Sequence, residues 1–410
     1  MTKPDTTRLP ALDSLRGLAA LAVVFTHVLW LYRPNSLVRP FSANLVTLGY
    51  LRSWVAELPG TFLIEVSPLH LLTSGHEAVI LFYLISGFVL YLSCERRAGD
   101  HPYRDFLVRR ICRIYIPYLV GVAFAIALCA TLSTGHLNGM NDWINHTWLM
   151  PIDRAAVLSH IALVGNFNTD LFMMACWTLV HEMRLAFVFP LLAELVLSRS
   201  RWLPLVIAAL SLSGIGLFAV FAARYGTWFL TIHYAALFLV GAWLARERVG
   251  CAAFWASLDV RRRAFLLAGA LALYNYGRFI RIVHAPAVAA DLPIAAGAAC
   301  LIVWAMSRPP VLELAPIRWL GRVSYGLYLL HQSFILASIY LLRELLPLWT
   351  ILILAVAMTF AAAELFHRIV EGPAIRLGRK LTSLSPRATP DVGARDANAA
   401  ILPALHGVPR

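Results

Sequence analysis

The sequence predicts an all-α fold, a polytopic membrane bundle of about ten helices, and three observations lead there. Hydrophobic residues are 60% and charged residues 14% of the 410-residue chain, and the mean hydropathy is +0.71, outside the range of soluble globular proteins. Ten apolar stretches are long enough to span a bilayer. Lys and Arg concentrate in alternate connections, the pattern of a chain oriented by its positive residues.

The expected spans are Leu12–Tyr32, His76–Cys94, Ile114–Thr131, Trp177–Leu197, Leu203–Ala222, Trp228–Ala245, Ala264–Ile282, Pro293–Met306, Tyr325–Leu345 and Trp349–Ile369. The eighth is short, and Val157–Asn166 is a shorter apolar run that reads as interfacial or re-entrant. Most of the 35 Lys/Arg fall on one side if the N-terminus is cytoplasmic. Arg96, Arg97, Arg104, Arg109, Arg110 and Arg113 share one such connection, and Arg246, Arg248, Arg261, Arg262 and Arg263 another. Both termini are therefore expected inside. The net charge of +13 is then a topology signal and a hold on anionic headgroups or ligands, and scattered over loops it gives no support to nucleic-acid binding.

The six cysteines have no close paired spacing, so neither a zinc site nor a disulfide framework is indicated, and no metal is expected. The first apolar run is broken by His27 and followed by no small-residue cleavage site, so it reads as a retained span. No internal repeat is evident. One membrane domain is expected over residues 1–380, with a disordered cytoplasmic tail rich in Pro, Ala, Arg and Asp over 381–410. The longest outer connections are Arg33–Gly75 and Leu132–Cys176; the second contains Asn145-His146-Thr147, a glycosylation triplet of a kind that arises often by chance.

Polar residues inside the spans are the candidates for function. Arg16 and His27 are eleven residues apart, three helical turns plus about 20°, so they share a face roughly 16 Å apart. Asp13 lies on nearly the same stripe and is placed to pair with Arg16. In WTLVHEMRLAF the fourth span puts His181, Glu182 and Arg184 near its outer end, with Glu182 at a depth similar to that of His27. A carboxylate beside an imidazole orients the ring and favours a general base. Ser86-Gly87 is central in the second span, and Tyr325, Tyr328 and His331 are spaced by three in the ninth, which reads as one narrow polar face. The competing readings are an inner-interface anchor for Arg16, an interfacial charge pair of His181 or Glu182 with Arg184, and helix packing for His27, Ser86-Gly87 and the ninth-span polar residues.

Six elements together resemble the acyltransferase 3 family of integral membrane acyltransferases. They are LDSLRGLAALAVVFTHV, LFYLISGFVL, RRICRIYIPYL, WTLVHE, LGRVSYGLYLLHQSF and EGPAIRLGRKL, in the family's order from about residue 8 to 381. The resemblance implies transfer of an acyl group, commonly acetyl, from cytoplasmic acyl-CoA to a hydroxyl of an extracytoplasmic acceptor. That acceptor is often a sugar of a surface polysaccharide or a lipid-linked glycan. It implies a bacterial inner membrane location, with acyl-CoA as donor substrate and no bound cofactor. The family's Arg, ten residues, then His falls on Arg16 and His27, and its acidic residue on Glu182. Trp177 belongs to the same fourth-span element. The chain departs from the family pattern at His181, often a small polar residue, and at Leu185-Ala186, often an aromatic pair.

On this reading Arg109, Arg110 and Arg113 receive the phosphates of coenzyme A, Arg16 steers the donor, and His27 takes the acceptor proton with Glu182 orienting its ring. Direct attack and an acyl-His27 intermediate both stay open. Asp13, Ser86, Trp177, Tyr325, Tyr328 and His331 complete the expected substrate-binding set. The rival reading is a transporter or flippase of an anionic glycolipid, using the same polar face as a pathway. The missing repeats, the lack of Gly/Pro-broken helices in matching halves and the six co-occurring elements favour the enzyme. The oligomeric state is not set by the sequence.

Overall fold

A computed structural model describes residues 9–31, 68–95, 103–140, 142–148, 150–282 and 290–383. Among these the regular elements are helices and no strand occurs. The main ones are α1 (Pro10–Trp30), α2 (Gly75–Glu95), α3 (Tyr103–Leu132), α4 (Arg154–Ala162), α5 (Cys176–Leu197) and α6 (Leu203–Tyr225). The second half holds α7 (Trp228–Arg246), α8 (Arg248–Ser257), α9 (Val260–Ile282), α10 (Asp291–Met306), α11 (Ala315–Leu342) and α12 (Leu348–Thr382).

Among the described residues, 7 helices are long and apolar enough to cross a membrane: α1, α2, α3, α6, α7, α11 and α12. The other three expected spans are also helical but are cut short in apolarity or length. Charges at Glu182, Arg184 and Glu194 interrupt α5, three arginines open α9, and α10 has only 16 residues. Val157–Asn166 is not a span: α4 covers its first part and ends at Leu163, which turns left-handed at φ 58°.

Close backbone approach sets the centre of the bundle. Helices α1 and α11 run parallel, and Gly17 lies directly against Gly321 with no room for a Cβ on either. Ser14 Oγ donates to Leu312 O at 2.7 Å at the start of the same contact. The α2/α7 pair also runs parallel, from Tyr83 against Tyr234 to the Glu95–Arg248 ion pair at 3.0 Å. Two apolar cores result, one around α1, α2, α7 and α10, the other around α3, α11 and the connection that precedes α5. Helices α6 and α12 turn large apolar side chains outward, among them Leu212, Val220, Trp349 and Ile353, as lipid contact requires.

Three helices overrun the expected spans: α11 starts ten residues early, at Ala315, and α3 and α12 overrun further. Helix α3 starts before its apolar run, and α12 continues to Thr382, past the expected domain boundary. Each carries one π turn, Ile111–Tyr115 in α3 and His367–Glu371 in α12. Such a turn frees a carbonyl from the regular ladder, and Tyr325 Oη donates to Ile114 O at 2.8 Å. The overrunning ends of α3 and α12 pack together: Gly378 lies over Cys112, and Arg109 Nε donates to Thr382 Oγ1 at 2.7 Å. The rest of the expected tail, Arg96, Arg97 and most of the first long connection fall outside the described residues.

Candidate active site

The register set at Gly17 and Gly321 brings His27 to His331. The two imidazoles are joined Nδ1 to Nε2 at 2.7 Å, 304 residues apart in sequence and with the same offset as the glycine pair. Their planes differ by 8° and their centroids are 4.9 Å apart. With nitrogens at hydrogen-bond distance, that geometry is two rings edge to edge in one plane, not a face-to-face stack. His331 is bound in turn to its own helix, Nδ1 lying 2.7 Å from Tyr328 O. Trp30 meets the His27 ring edge-on at 5.0 Å, and Trp143 lies nearly parallel to it at 5.5 Å. The 3₁₀ turn Pro68–Thr73 fastens the end of α1, with Thr26 Oγ1 donating to Thr73 O at 2.7 Å.

Glu182 does not orient His27. Its carboxylate accepts from Ser86 Oγ at 3.1 Å and stands 4.0 Å from Arg110 Nη1. The reason is height: Thr178 on α5 meets Tyr328 at 2.7 Å, so Glu182, one turn further along, lies toward the Arg16 end. There it joins a cluster of charges. Arg16 pairs with Asp13 at 4.0 Å, and Arg16, Arg110 and Arg113 are close enough for their charges to oppose one another, with Glu182 acting on both Arg110 and Arg113. Arg109 points away to Thr382 and ties α3 to α12.

Tyr325, Tyr328 and His331 do not form one narrow face. Three residues advance a helix by 300°, so the set drifts by about 120° in all. Each side chain reaches a different neighbour: Tyr325 the carbonyl of Ile114 on α3, Tyr328 the carbonyl of Ala175 before α5 at 2.8 Å, His331 the ring of His27 on α1. Trp177 stands apart from His27, against His181 and Tyr234.

Arg184 is a buried brace. It donates to Val164 O at 2.9 Å and to Gly165 O, reaches Thr231 at 3.0 Å, and lies over the Trp228 ring at 3.8 Å. Asn145 clasps its own loop, with Oδ1 accepting from Leu137 N at 2.8 Å and Nδ2 donating to Leu137 O.

Trp30 and Trp143 were not legible as site residues, because neither belongs to a spaced polar pattern. A second buried network was missed as well. Asp291, fully buried at the start of α10, is 2.6 Å from His76 Nε2 and 3.2 Å from His233 Nε2, and His233 Nδ1 meets Ser211 Oγ at 3.1 Å. Its signal was a lone Asp ahead of an apolar run.

Apolar helices that hold an imidazole pair at one end of α1 and paired charges at the other fit an integral membrane enzyme. The chain belongs to the acyltransferase 3 family: its residues 9–368 match the acyltransferase domain. Acyltransferase MdmB of Streptomyces mycarofaciens is 27% identical over 415 residues, which covers 92% of this chain and 94% of the relative. No solved structure matches the chain. The protein is an acyltransferase.

Proposed function

We propose that this acyltransferase moves an acyl group, most simply acetyl, from cytoplasmic acyl-CoA to a hydroxyl of an extracytoplasmic acceptor. The acceptor class proposed is a sugar of a surface polysaccharide or lipid-linked glycan, and the location a bacterial inner membrane. Both termini lie in the cytoplasm, and residues 1–380 act as one membrane domain. The observation that carries the reading is the division of labour along α1, with the Arg16 cluster at one end and His27 at the other.

The phosphates of the donor meet Arg16, Arg110 and Arg113, where guanidinium groups offer paired donors to phosphate oxygens. Glu182 and Asp13 hold those guanidiniums apart and aimed. The pantetheine arm then runs along α1 and carries the thioester roughly 16 Å to His27. There His27 removes the proton of the acceptor hydroxyl, the oxygen attacks the thioester carbonyl, the C–S bond breaks, and the thiolate recovers the proton. Ester and free thiol are the products, and His27 returns to its starting state.

Inside-out membrane vesicles with the host's glycan fraction enclosed in the lumen and labelled acetyl-CoA supplied outside test the reading. Label is expected in glycan with the intact protein and not with His27→Ala at equal membrane abundance. Equal labelling by both removes His27 from the chemistry, and no labelling by the intact protein overturns the proposed donor and acceptor.

A further inference from the structure

A histidine acts as base only through the nitrogen that lacks hydrogen, and a neutral ring has two ways to place that hydrogen. In water the ring favours hydrogen on Nε2, so the opposite form has to be imposed. His331 Nδ1 faces two backbone carbonyls, Tyr328 O at 2.7 Å and Leu327 O at 3.2 Å. Carbonyls only accept, so His331 Nδ1 carries hydrogen and His331 Nε2 presents its lone pair. That lone pair meets His27 Nδ1 at 2.7 Å. His27 Nδ1 must then be the donor, which strips hydrogen from His27 Nε2. The opposite assignment sets a lone pair against each carbonyl in a buried site, where an unmade hydrogen bond is costly.

We propose that His331 is the positioning residue of the acyl transfer: it fixes His27 in the Nδ1–H form and so makes His27 Nε2 the base. This rests on the reading of His27 given under Proposed function. The edge-to-edge geometry serves the reacting state too. When Nε2 takes the acceptor proton, the cation that forms on His27 already donates through Nδ1 to His331 Nε2 in the ring plane. Behind it, the Tyr328 carbonyl holds the far side of His331, so neither ring turns as charge appears. When the thiolate recovers the proton from Nε2, both rings return to their first state.

The test uses the full chain in detergent micelles. With ¹⁵N-labelled histidine, the His27 signals, assigned by their loss in His27→Ala, are expected to show hydrogen on Nδ1 and a bare Nε2. His331→Leu is expected to move that hydrogen to Nε2 and to lower kcat about 100-fold with the donor KM unchanged. His331→Gln, whose amide oxygen can accept from Nδ1, is expected to keep kcat within about tenfold of the intact protein. Hydrogen on Nε2 in the intact protein overturns the inference, as does a His331→Leu enzyme with unchanged kcat. A His331→Gln enzyme that folds, by its elution profile and thermal unfolding, yet is no better than His331→Leu also overturns it. If His331→Leu does not fold, the spectrum of the intact protein decides. Failure of the parent reading is a different result, with no label transferred by the intact protein whatever tautomer the spectrum shows.

Discussion

At the Arg16 end of the α1/α11 pair the polar groups are ions; at the other end they are two imidazoles bonded to each other and to backbone. The side chains of Arg16 and Asp13 keep 24% and 26% of their surface exposed, whereas His27 is 7% exposed and His331 is fully buried. Water access explains the choice. Solvent reaches the full charges of Arg16 and Asp13, while an imidazole can enter a buried site uncharged. On the proposed reading, one helix pair offers a site for anionic ligand and a site for proton transfer, separated by length alone.

His27→Ala is expected to cut turnover about 1000-fold while donor KM stays unchanged, in steady-state assays on equal amounts of purified protein. Gly321→Leu attacks both ends together, because the added side chain has only the backbone of Asp13 and Ser14 to displace. Overpacking of that kind costs about 1–3 kcal/mol or more, so a lowered unfolding temperature should accompany joint loss of donor binding and turnover. Independent losses at the two ends in this variant would mean that the shared register is not what couples them.

Arg16→Ala is expected to raise the donor KM about tenfold, less so at high salt, and to leave kcat within about threefold. A collapse of kcat instead would move Arg16 into the chemistry. Glu182→Gln sharpens the same contrast. Since Glu182 touches Ser86 and Arg110 and not His27, its loss should act on donor affinity, by about threefold to tenfold, and not on the His27 tautomer read by ¹⁵N spectra.

The smallest effect is outside the spans. Burial holds the His160 ring below its ordinary value near 6.5, so the unfolded chain binds more protons between the two values. Stability is then full above about pH 6.5 and falls as the pH drops below it. The unfolding temperature of the intact protein should decline from about pH 7 to about pH 5 more steeply than that of His160→Phe; equal slopes would discount His160.

Where an apolar run was long and clean, as in α1, α2 and α7, the sequence marked the helix to within a few residues. It failed where helices leave the apolar zone, since the early turns of α3 and the late turns of α12 are amphipathic and have no apolar run to mark them. In the site, the shared face of Arg16 and His27 followed from helical geometry alone. Partners across helices did not. Counting residues placed Glu182 near the height of His27, but height depends on where α5 starts, and the Thr178–Tyr328 contact sets it lower. His331 was named for its place on α11, yet nothing local says that α11 packs parallel to α1 with Gly321 on Gly17.

That packing joins the first long helix of the chain to one that emerges from the ribosome some three hundred residues later. Until α11 arrives, the nascent α1 holds Asp13, Arg16 and His27 in the translocon or the bilayer without its final neighbour, an arrangement that costs several kcal/mol in lipid. A chain stopped before residue 331 has Asp13 and Arg16 on α1 but lacks the ring that pairs with His27. On the proposed role of His27, catalytic competence comes late in biogenesis, with insertion of α11, and prematurely terminated chains would occupy the membrane without carrying out transfer.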